Sequence, residues 1–264
     1  MSEPNGRLFR GAGVALLSLF DDRGALLIDD TAGFAATLAD KGAACILVAG
    51  TTGEFWTLEH DERLALIAAV RAAVPAAVPV MAGIGALDAG RALALAAEAG
   101  GTGADAALCF TPRGELPAAF YPKVRDALGD LPLLGYHFPA VGYTDLPVGE
   151  LADLPIDGLK DSSGEPARLL ATSRVLSRGV YTGSALLATL AAALPVDGAL
   201  LALGNLEPAA AQAALHGDIA AQATLADRHA AIVGEVAPRA IKRLAAQRYG
   251  TPAFTRSPAL ADAS

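Results

Sequence analysis

Pro155-Ile156-Asp157-Gly158-Leu159-Lys160-Asp161-Ser162-Ser163-Gly164 joins a short apolar run to a polar turn, and a helix-like segment follows. The same order of an apolar, strand-length run and an amphipathic, alanine-rich stretch recurs from end to end of the chain. Strands that are apolar along their whole length are typical of parallel sheets with both faces buried. The pattern therefore predicts an α/β fold built on a parallel sheet.

Eight such strand-and-helix units can be placed along the chain. The predicted strands are Val14–Phe20, Ala44–Val48, Val78–Ala82, Ala104–Phe110, Leu131–Tyr136, Ile156–Lys160, Val180–Gly183 and Gly198–Ala202. The predicted helices are Asp29–Lys41, Leu58–Ala73, Asp88–Ala99, Leu116–Leu128, Leu146–Leu154, Glu165–Leu176, Ser184–Leu194 and Glu207–Leu215, with Asp88 and Ser184 as N-caps. We expect a (β/α)8 TIM barrel with additional C-terminal helices. A doubly wound open sheet is the alternative, which periodicity alone does not exclude.

The domain organisation follows from this count. We predict one barrel domain over residues 1–218 and a short helical extension over residues 219–264 that packs on the barrel. The extension contains a further helical stretch, from about Ile219 to Tyr249, and a tail with proline.

Composition excludes several classes of function. The formal net charge of −8 leaves no basic stripe to neutralise phosphates, which argues against a nucleic-acid partner. No run of about 18 apolar residues or N-terminal signal pattern occurs, so we expect neither a membrane span nor export. Cys45 and Cys109 fall inside predicted strands, as expected for small core residues in a reducing compartment. The histidines show no metal-ligand spacing, so we expect a cytoplasmic protein without a metal.

Lys160 is one of only four lysines in the chain, and it alone closes a predicted strand. Desolvation lowers the pKa of a buried ammonium, and the neutral amine attacks a carbonyl carbon to form a Schiff base. Ion pairing or snorkelling is the commoner explanation for such a lysine. Lys160 by itself leaves both interpretations open.

Two further motifs fall at the same predicted end of the barrel, where TIM barrels carry their active sites. Gly50-Thr51-Thr52-Gly53-Glu54 follows the second strand, and its hydroxyls and backbone N–H groups suit a carboxylate. Its threonines alternatively cap the next helix. Tyr136 ends the fifth strand as a candidate proton carrier, or alternatively as a core tyrosine. Alternation along the strand turns His137 away from Tyr136.

These motifs, together with Gly158-Leu159-Lys160-Asp161 and Tyr136-His137-Phe138-Pro139, resemble the signatures of the dihydrodipicolinate synthase/N-acetylneuraminate lyase family. The resemblance extends from Val14 to about Ser257. It implies a TIM barrel, usually a homo-oligomer (dimer or tetramer), in which a lysine forms a Schiff base with pyruvate or another 2-oxo acid. No metal and no organic cofactor are then needed, because the lysine adduct is itself the electron sink.

By this resemblance, Lys160 is the Schiff-base lysine, Tyr136 relays protons, and Thr51 assists the relay. Thr51, Thr52 and Gly53 are the expected substrate-binding residues, together with Leu200 of the last strand.

The second-substrate half of the site departs from the family pattern. Val141 stands where synthases carry a carboxylate-binding arginine, and Thr111-Pro112-Arg113-Gly114 lacks the family's second relay tyrosine. Arg113 and His137 are our candidates for contacts with the second substrate.

The predicted function is therefore a Schiff-base lyase or aldolase that joins pyruvate, or another 2-oxo acid, to an aldehyde or reverses that reaction. Narrower alternatives are an authentic 4-hydroxy-tetrahydrodipicolinate synthase and a 2-keto-3-deoxy sugar acid aldolase or dehydratase. A catalytically weak barrel that binds a 2-oxo acid is a further alternative, since fold alone does not guarantee chemistry.

Overall fold

Eight parallel strands close into a barrel in the computed structural model, which describes residues 8–141, 143–177, 179–235 and 238–256. Each strand pairs with the next in the chain, and the last pairs with the first. In order, β1 to β8 are Gly11–Ala15, Cys45–Val48, Val80–Gly83, Ala106–Phe110, Leu133–His137, Gly158–Asp161, Val180–Thr182 and Gly198–Leu201. The predicted (β/α)8 barrel is confirmed, and the open sheet is excluded.

Helices cover the outside of the barrel. In order, α1 to α9 are Ile28–Asp40, His60–Ala73, Ala89–Ala99, Pro117–Leu128, Pro166–Val175, Ala188–Ala192, Pro208–Ala214, Ile219–Ala230 and Arg239–Tyr249. The Asp88 carboxylate caps α3 by accepting from the Arg91 N–H at 2.9 Å, as predicted. Ser184 does not cap a helix through its side chain, because a short 3₁₀ turn precedes α6.

Two predicted elements differ most from the structure. The segment after β5 forms a 3₁₀ helix over Val148–Asp153, not the predicted α-helix, because Pro147 and Pro155 bound it and Gly149 lies within it. β1 begins at Gly11 and ends at Ala15, five residues before the predicted end. The whole run through Phe20 is buried, so its apolar pattern alone does not mark where strand pairing stops.

The apolar core has two main parts. The larger lies between the sheet and the surrounding helices. The smaller fills the barrel and is rich in aromatic rings, including Phe110, Tyr136 and Tyr181. Because this interior is packed with side chains, substrate has access only from the strand ends.

The C-terminal stretch folds as two helices, α8 and α9, which confirms the predicted additional C-terminal helices. Gln222 of α8 bonds to Thr189 and to the Ala185 carbonyl, each at 3.0 Å, which ties α8 to the mouth of the barrel. The division into domains at residue 218 stays a prediction. Within the described ranges, no helix combines the length and hydropathy that crossing a membrane requires.

Candidate active site

Lys160 lies on β6 with its side chain directed into the barrel. The register of β6 places Lys160 beside Tyr136 of β5 and Tyr181 of β7. Paired residues of neighbouring parallel strands point to the same face, and both tyrosines belong to the interior cluster. The strand continues one residue beyond the lysine, to Asp161, so the predicted strand end was one residue early.

The Lys160 amine is buried without a counter-ion. Lys160 is only 5% exposed, and its Nζ makes no hydrogen bond or ion pair with any residue that the structure describes. The nearest aromatic contact is the ring of Tyr136, whose centroid lies 4.5 Å from Nζ. Burial lowers the pKa of Lys160 to about 7. A large fraction of the amine is therefore neutral and nucleophilic near neutral pH.

The adjacent carboxylate does not neutralise this amine. Asp161 lies on the opposite face of the strand and accepts from Arg168 Nε at 2.8 Å. Its other oxygen accepts from the Ser163 N–H at 2.9 Å, which shapes the turn after β6. The Asp161–Arg168 pair thus satisfies the nearest carboxylate and leaves Lys160 unpaired.

Tyr136 is a proton donor beside Lys160. Burial raises the pKa of Tyr136 to about 12, and the hydroxyls of Thr51 and Ser162 oppose that rise. The phenol is therefore protonated at neutral pH and can donate a proton to an oxygen bound at Lys160.

The turn after β2 presents backbone donors beside this pair. The N–H groups of Thr51 and Thr52 donate to no backbone carbonyl in the described chain, whereas Gly53 N–H bonds to Gly50 O at 3.0 Å. The Gly53 carbonyl accepts from Ser18 Oγ at 2.7 Å, and a Cβ at position 53 would approach that oxygen to 3.0 Å. Gly53 therefore shapes the turn, while the free N–H groups suit a substrate carboxylate.

A cavity of about 480 Å³ opens over Lys160 at the C-terminal ends of the strands. Its lining includes five of the predicted site residues: Thr51, Thr52, Tyr136, Lys160 and Leu200. Gly53 is not among the described lining residues. The structure therefore brings the predicted nucleophile, proton carrier and anion-binding turn to one cavity.

The lining of the cavity also includes three serines and several apolar side chains. The serines are Ser162, Ser163 and Ser184, and the apolar residues include Leu186 and Ile232. Lys160 is the only lysine or arginine among the lining residues that the structure describes.

Arg113 and His137 lie outside the described lining of this cavity. Arg113 is exposed in the turn after β4. His137 is buried on the other face of β5, as alternation predicted, and its Nδ1 accepts from the Leu146 N–H at 3.3 Å. Burial and then the Arg168 charge lower the pKa of His137, which favours the neutral ring. Their roles toward a second substrate stay predictions without support from this geometry.

Sequence reasoning did not select three residues that the fold brings to the site. Ser184 reads as a helix cap, and His229, in the last turn of α8, carries no local motif, yet both line the cavity. Tyr143 follows the Val141 position and packs beside Tyr136, with ring centroids 6.3 Å apart. Of these three residues, only Tyr143 could have been selected from the sequence. Its phenol is near the candidate relay residue Tyr136 and is therefore a possible partner for it.

Comparison with known proteins identifies the family of this chain. The model of the dihydrodipicolinate synthetase family matches residues 8–260. The chain belongs to this family. The predicted family resemblance is thereby confirmed, and the predicted lyase or aldolase class agrees with the enzymes of this family.

Individual relatives agree with this membership. The 4-hydroxy-tetrahydrodipicolinate synthase of Corynebacterium aurimucosum is 32% identical over 213 residues, which are 76% of this chain and 70% of that protein. The chain matches between 45% and 70% of the length of each of the first three curated relatives.

Two solved structures share the fold over most of both chains. Dihydrodipicolinate synthase from Acinetobacter baumannii, complexed with pyruvate, is 28% identical with a TM-score of 0.78, covering 89% of this chain and 87% of that one. KD(P)GA from T. tenax is 26% identical with a TM-score of 0.81, covering 94% and 92%. The chain is thus similar in fold both to a dihydrodipicolinate synthase and to KD(P)GA.

Proposed function

We propose that this chain is a class I lyase or aldolase that binds pyruvate, or another 2-oxo acid, as an imine of Lys160. The observation that carries the proposal is the buried, unpaired Lys160 amine beside Tyr136 and the free N–H groups of the Thr51-Thr52 turn. The pyruvate complex of the Acinetobacter baumannii relative supports the choice of 2-oxo acid.

The reaction begins with attack of the neutral Lys160 Nζ on the keto carbon. A proton moves from nitrogen to the former keto oxygen, giving a carbinolamine. Tyr136 then donates its proton to that hydroxyl. The C–O bond breaks, water departs, and an iminium is formed. Loss of a C3 proton to the Tyr136 phenolate gives the enamine and restores the phenol. Thr51 holds the Tyr136 hydroxyl and the substrate carboxylate in place, which lowers the entropic cost of reaction.

The enamine carbon then attacks the aldehyde carbon, the aldehyde oxygen takes the proton of the Tyr136 phenol, and water hydrolyses the resulting iminium to release the product and free Lys160. In the reverse direction, the C4 hydroxyl of a longer 2-oxo acid gives its proton to the Tyr136 phenolate as the C3–C4 bond breaks. We propose that the aldehyde is uncharged and hydroxylated. The serine hydroxyls that line the cavity suit such a partner, and no arginine is among the described lining residues to pair with a second carboxylate. A 2-keto-3-deoxy sugar acid aldolase fits this cavity best.

The second candidate is 4-hydroxy-tetrahydrodipicolinate synthase, which the name of the Corynebacterium relative favours. Assays with pyruvate plus aspartate semialdehyde, run beside cleavage assays on 2-keto-3-deoxy sugar acids, distinguish the two. A higher kcat/KM with aspartate semialdehyde would overturn our choice of aldehyde and leave the imine chemistry in place.

Borohydride reduction in the presence of pyruvate tests the imine directly. We expect a reduced adduct on Lys160 by peptide mass spectrometry, present in Lys123→Met and absent in Lys160→Met, with turnover at least ~10³-fold lower in the latter. Lys123 is a matched control because it is exposed on α4. If no 2-oxo acid leaves an adduct, the proposal is wrong. An adduct without turnover on any aldehyde would identify a 2-oxo-acid-binding barrel.

A homo-oligomer and a cytoplasmic location remain proposals. The two free, buried cysteines agree with a reducing compartment. Light scattering at several protein concentrations measures the oligomeric state.

A further inference from the structure

Two buried hydroxyl groups beside Tyr136 have no hydrogen-bond partner among the described residues. They are Thr51 Oγ1 and the phenolic oxygen of Tyr143. Leaving a buried hydroxyl unpaired costs free energy, so such groups in a native protein call for an explanation. Because both lie next to the proposed proton donor, a role in positioning that donor is the explanation to test.

Tyr143 is held in the mouth of the barrel by its own segment of chain. The next residue, Thr144, donates its N–H to Thr111 O at 3.1 Å and its hydroxyl to Pro112 O at 2.9 Å. The Tyr143 ring stacks on Phe110, with centroids 3.6 Å apart and planes 8° from parallel. The residue is 7% exposed. This packing fixes the ring and leaves its hydroxyl as the free end.

The Thr51 hydroxyl lies close to both phenols. It opposes the rise that burial causes in the pKa of Tyr136 and, likewise, in the pKa of Tyr143. The two tyrosine rings meet edge to face, 61° apart, with centroids separated by 6.3 Å. Thr51 therefore neighbours both hydroxyls, although neither contact has hydrogen-bond geometry in this structure.

We propose that Tyr143 is a positioning residue that acts through Thr51. In the reacting complex, the Tyr143 hydroxyl donates to Thr51 Oγ1, Thr51 donates to the Tyr136 oxygen, and the Tyr136 proton points at the Lys160 adduct. Each hydroxyl donates once, so the chain of bonds has one direction. When Tyr136 gives its proton to the departing water, the Thr51 and Ser162 hydroxyls stabilise the phenolate.

This inference rests on the proposed function and adds a consequence to it. All members of the proposed chain of hydroxyls belong to one polypeptide, so the proposal requires no residue from a second copy to position Tyr136.

Steady-state kinetics of Tyr143→Phe test the proposal. We expect kcat to fall by about tenfold or more, with KM for the 2-oxo acid within about twofold, because the lost bond acts on the proton donor and not on the substrate. Tyr249→Phe is the matched control. The Tyr249 hydroxyl donates to Leu206 O at 3.1 Å, and Tyr249 is not among the described lining residues of the cavity, so kcat should be unchanged.

A double-variant comparison separates positioning from packing. If Tyr143 acts through Thr51, then Tyr143→Phe lowers kcat in the native background but has no further effect in Thr51→Val. Turnover of Tyr143→Phe equal to the native enzyme, or losses that multiply in the double variant, would overturn the proposal.

Two controls keep this result independent. Should Tyr143→Phe fail to fold, 4-fluorophenylalanine at position 143 keeps the ring and fills the space of the hydroxyl without donating a hydrogen bond, and an unchanged kcat would overturn the proposal. Borohydride trapping of Lys160 in the native enzyme is run in parallel. If the native protein forms no adduct, the proposed function has failed; if it does, and Tyr143→Phe behaves as native, only this inference has failed.

Discussion

Lys160 and Lys242 are both buried, but Lys242 has a carboxylate partner and Lys160 has none among the described residues. Lys160 is 5% exposed, lines the cavity and has no ion pair in the described chain. Lys242, on α9, is 0% exposed and pairs with the Glu54 carboxylate. Lys242 Nζ also donates to Phe254 O at 2.8 Å and lies 4.3 Å from the centroid of the Phe20 ring.

The difference shows that burial alone does not make a lysine a nucleophile. Burial lowers the pKa of both lysines, but the Glu54 charge and hydrogen bond oppose that effect at Lys242. At Lys160, no neighbouring carboxylate opposes it, because Asp161 is paired with Arg168. Lys242 instead anchors the turn after β2, since Glu54 directly follows the Thr51-Thr52-Gly53 segment and also accepts from the Arg256 N–H at 3.1 Å.

The largest expected effect on stability comes from breaking the Lys242 pair. Lys242→Met should lower the free energy of unfolding by about 3–5 kcal/mol, because it leaves the Glu54 charge buried without a partner. Urea denaturation followed by circular dichroism measures it. The double variant Lys242→Met/Glu54→Gln should lose less than the single variant, since no unpaired charge remains. A larger loss in the double variant would show that the pair is not the cause.

The opposite sign is expected at Lys160. Lys160→Met should raise the free energy of unfolding at neutral pH by about 1–3 kcal/mol, because it removes an amine that folding desolvates without a partner. Between about pH 7 and the ordinary lysine pKa of about 10.5, the unfolded lysine holds a proton that the folded one has lost. Native stability therefore rises with pH across this window, and the advantage of the variant shrinks.

Urea denaturation of both proteins at pH 7 and pH 10 measures that change. The difference between native and variant isolates Lys160 from the other titrating groups. An advantage that stays constant with pH would mean that Lys160 is charged in both states.

A further expected effect is on the pH dependence of the rate. The rate of adduct formation with pyruvate should fall about tenfold for each pH unit below 7, because only the neutral amine attacks the keto carbon. Rapid-quench borohydride trapping across pH 5 to 9 measures this rate. If the rate of adduct formation instead rises with pH around the ordinary lysine pKa, the site does not lower the pKa of Lys160.

Much of the site could be predicted because its motifs are local. Lys160 and Tyr136 lie near the ends of apolar strands, and the Thr51-Thr52 turn follows one. Parallel strands in a barrel bring their C-terminal ends together. The ends of helices and strands were predicted less well. The segment Leu146–Leu154 has an apolar pattern that suits either an α-helix or the observed 3₁₀ turn.

The sequence by itself determined the alternation of strands and helices, and with it the barrel, the strand-end position of Lys160 and the family. These depend on hydrophobic period and on motifs within a few residues. Only the tertiary structure decided which buried lysine has a partner and which does not. Lys242 reads as part of a basic run, and Glu54 lies 188 residues away along the chain. Partnership, and therefore pKa, depends on contacts between distant segments, as does the approach of Tyr143 to Thr51.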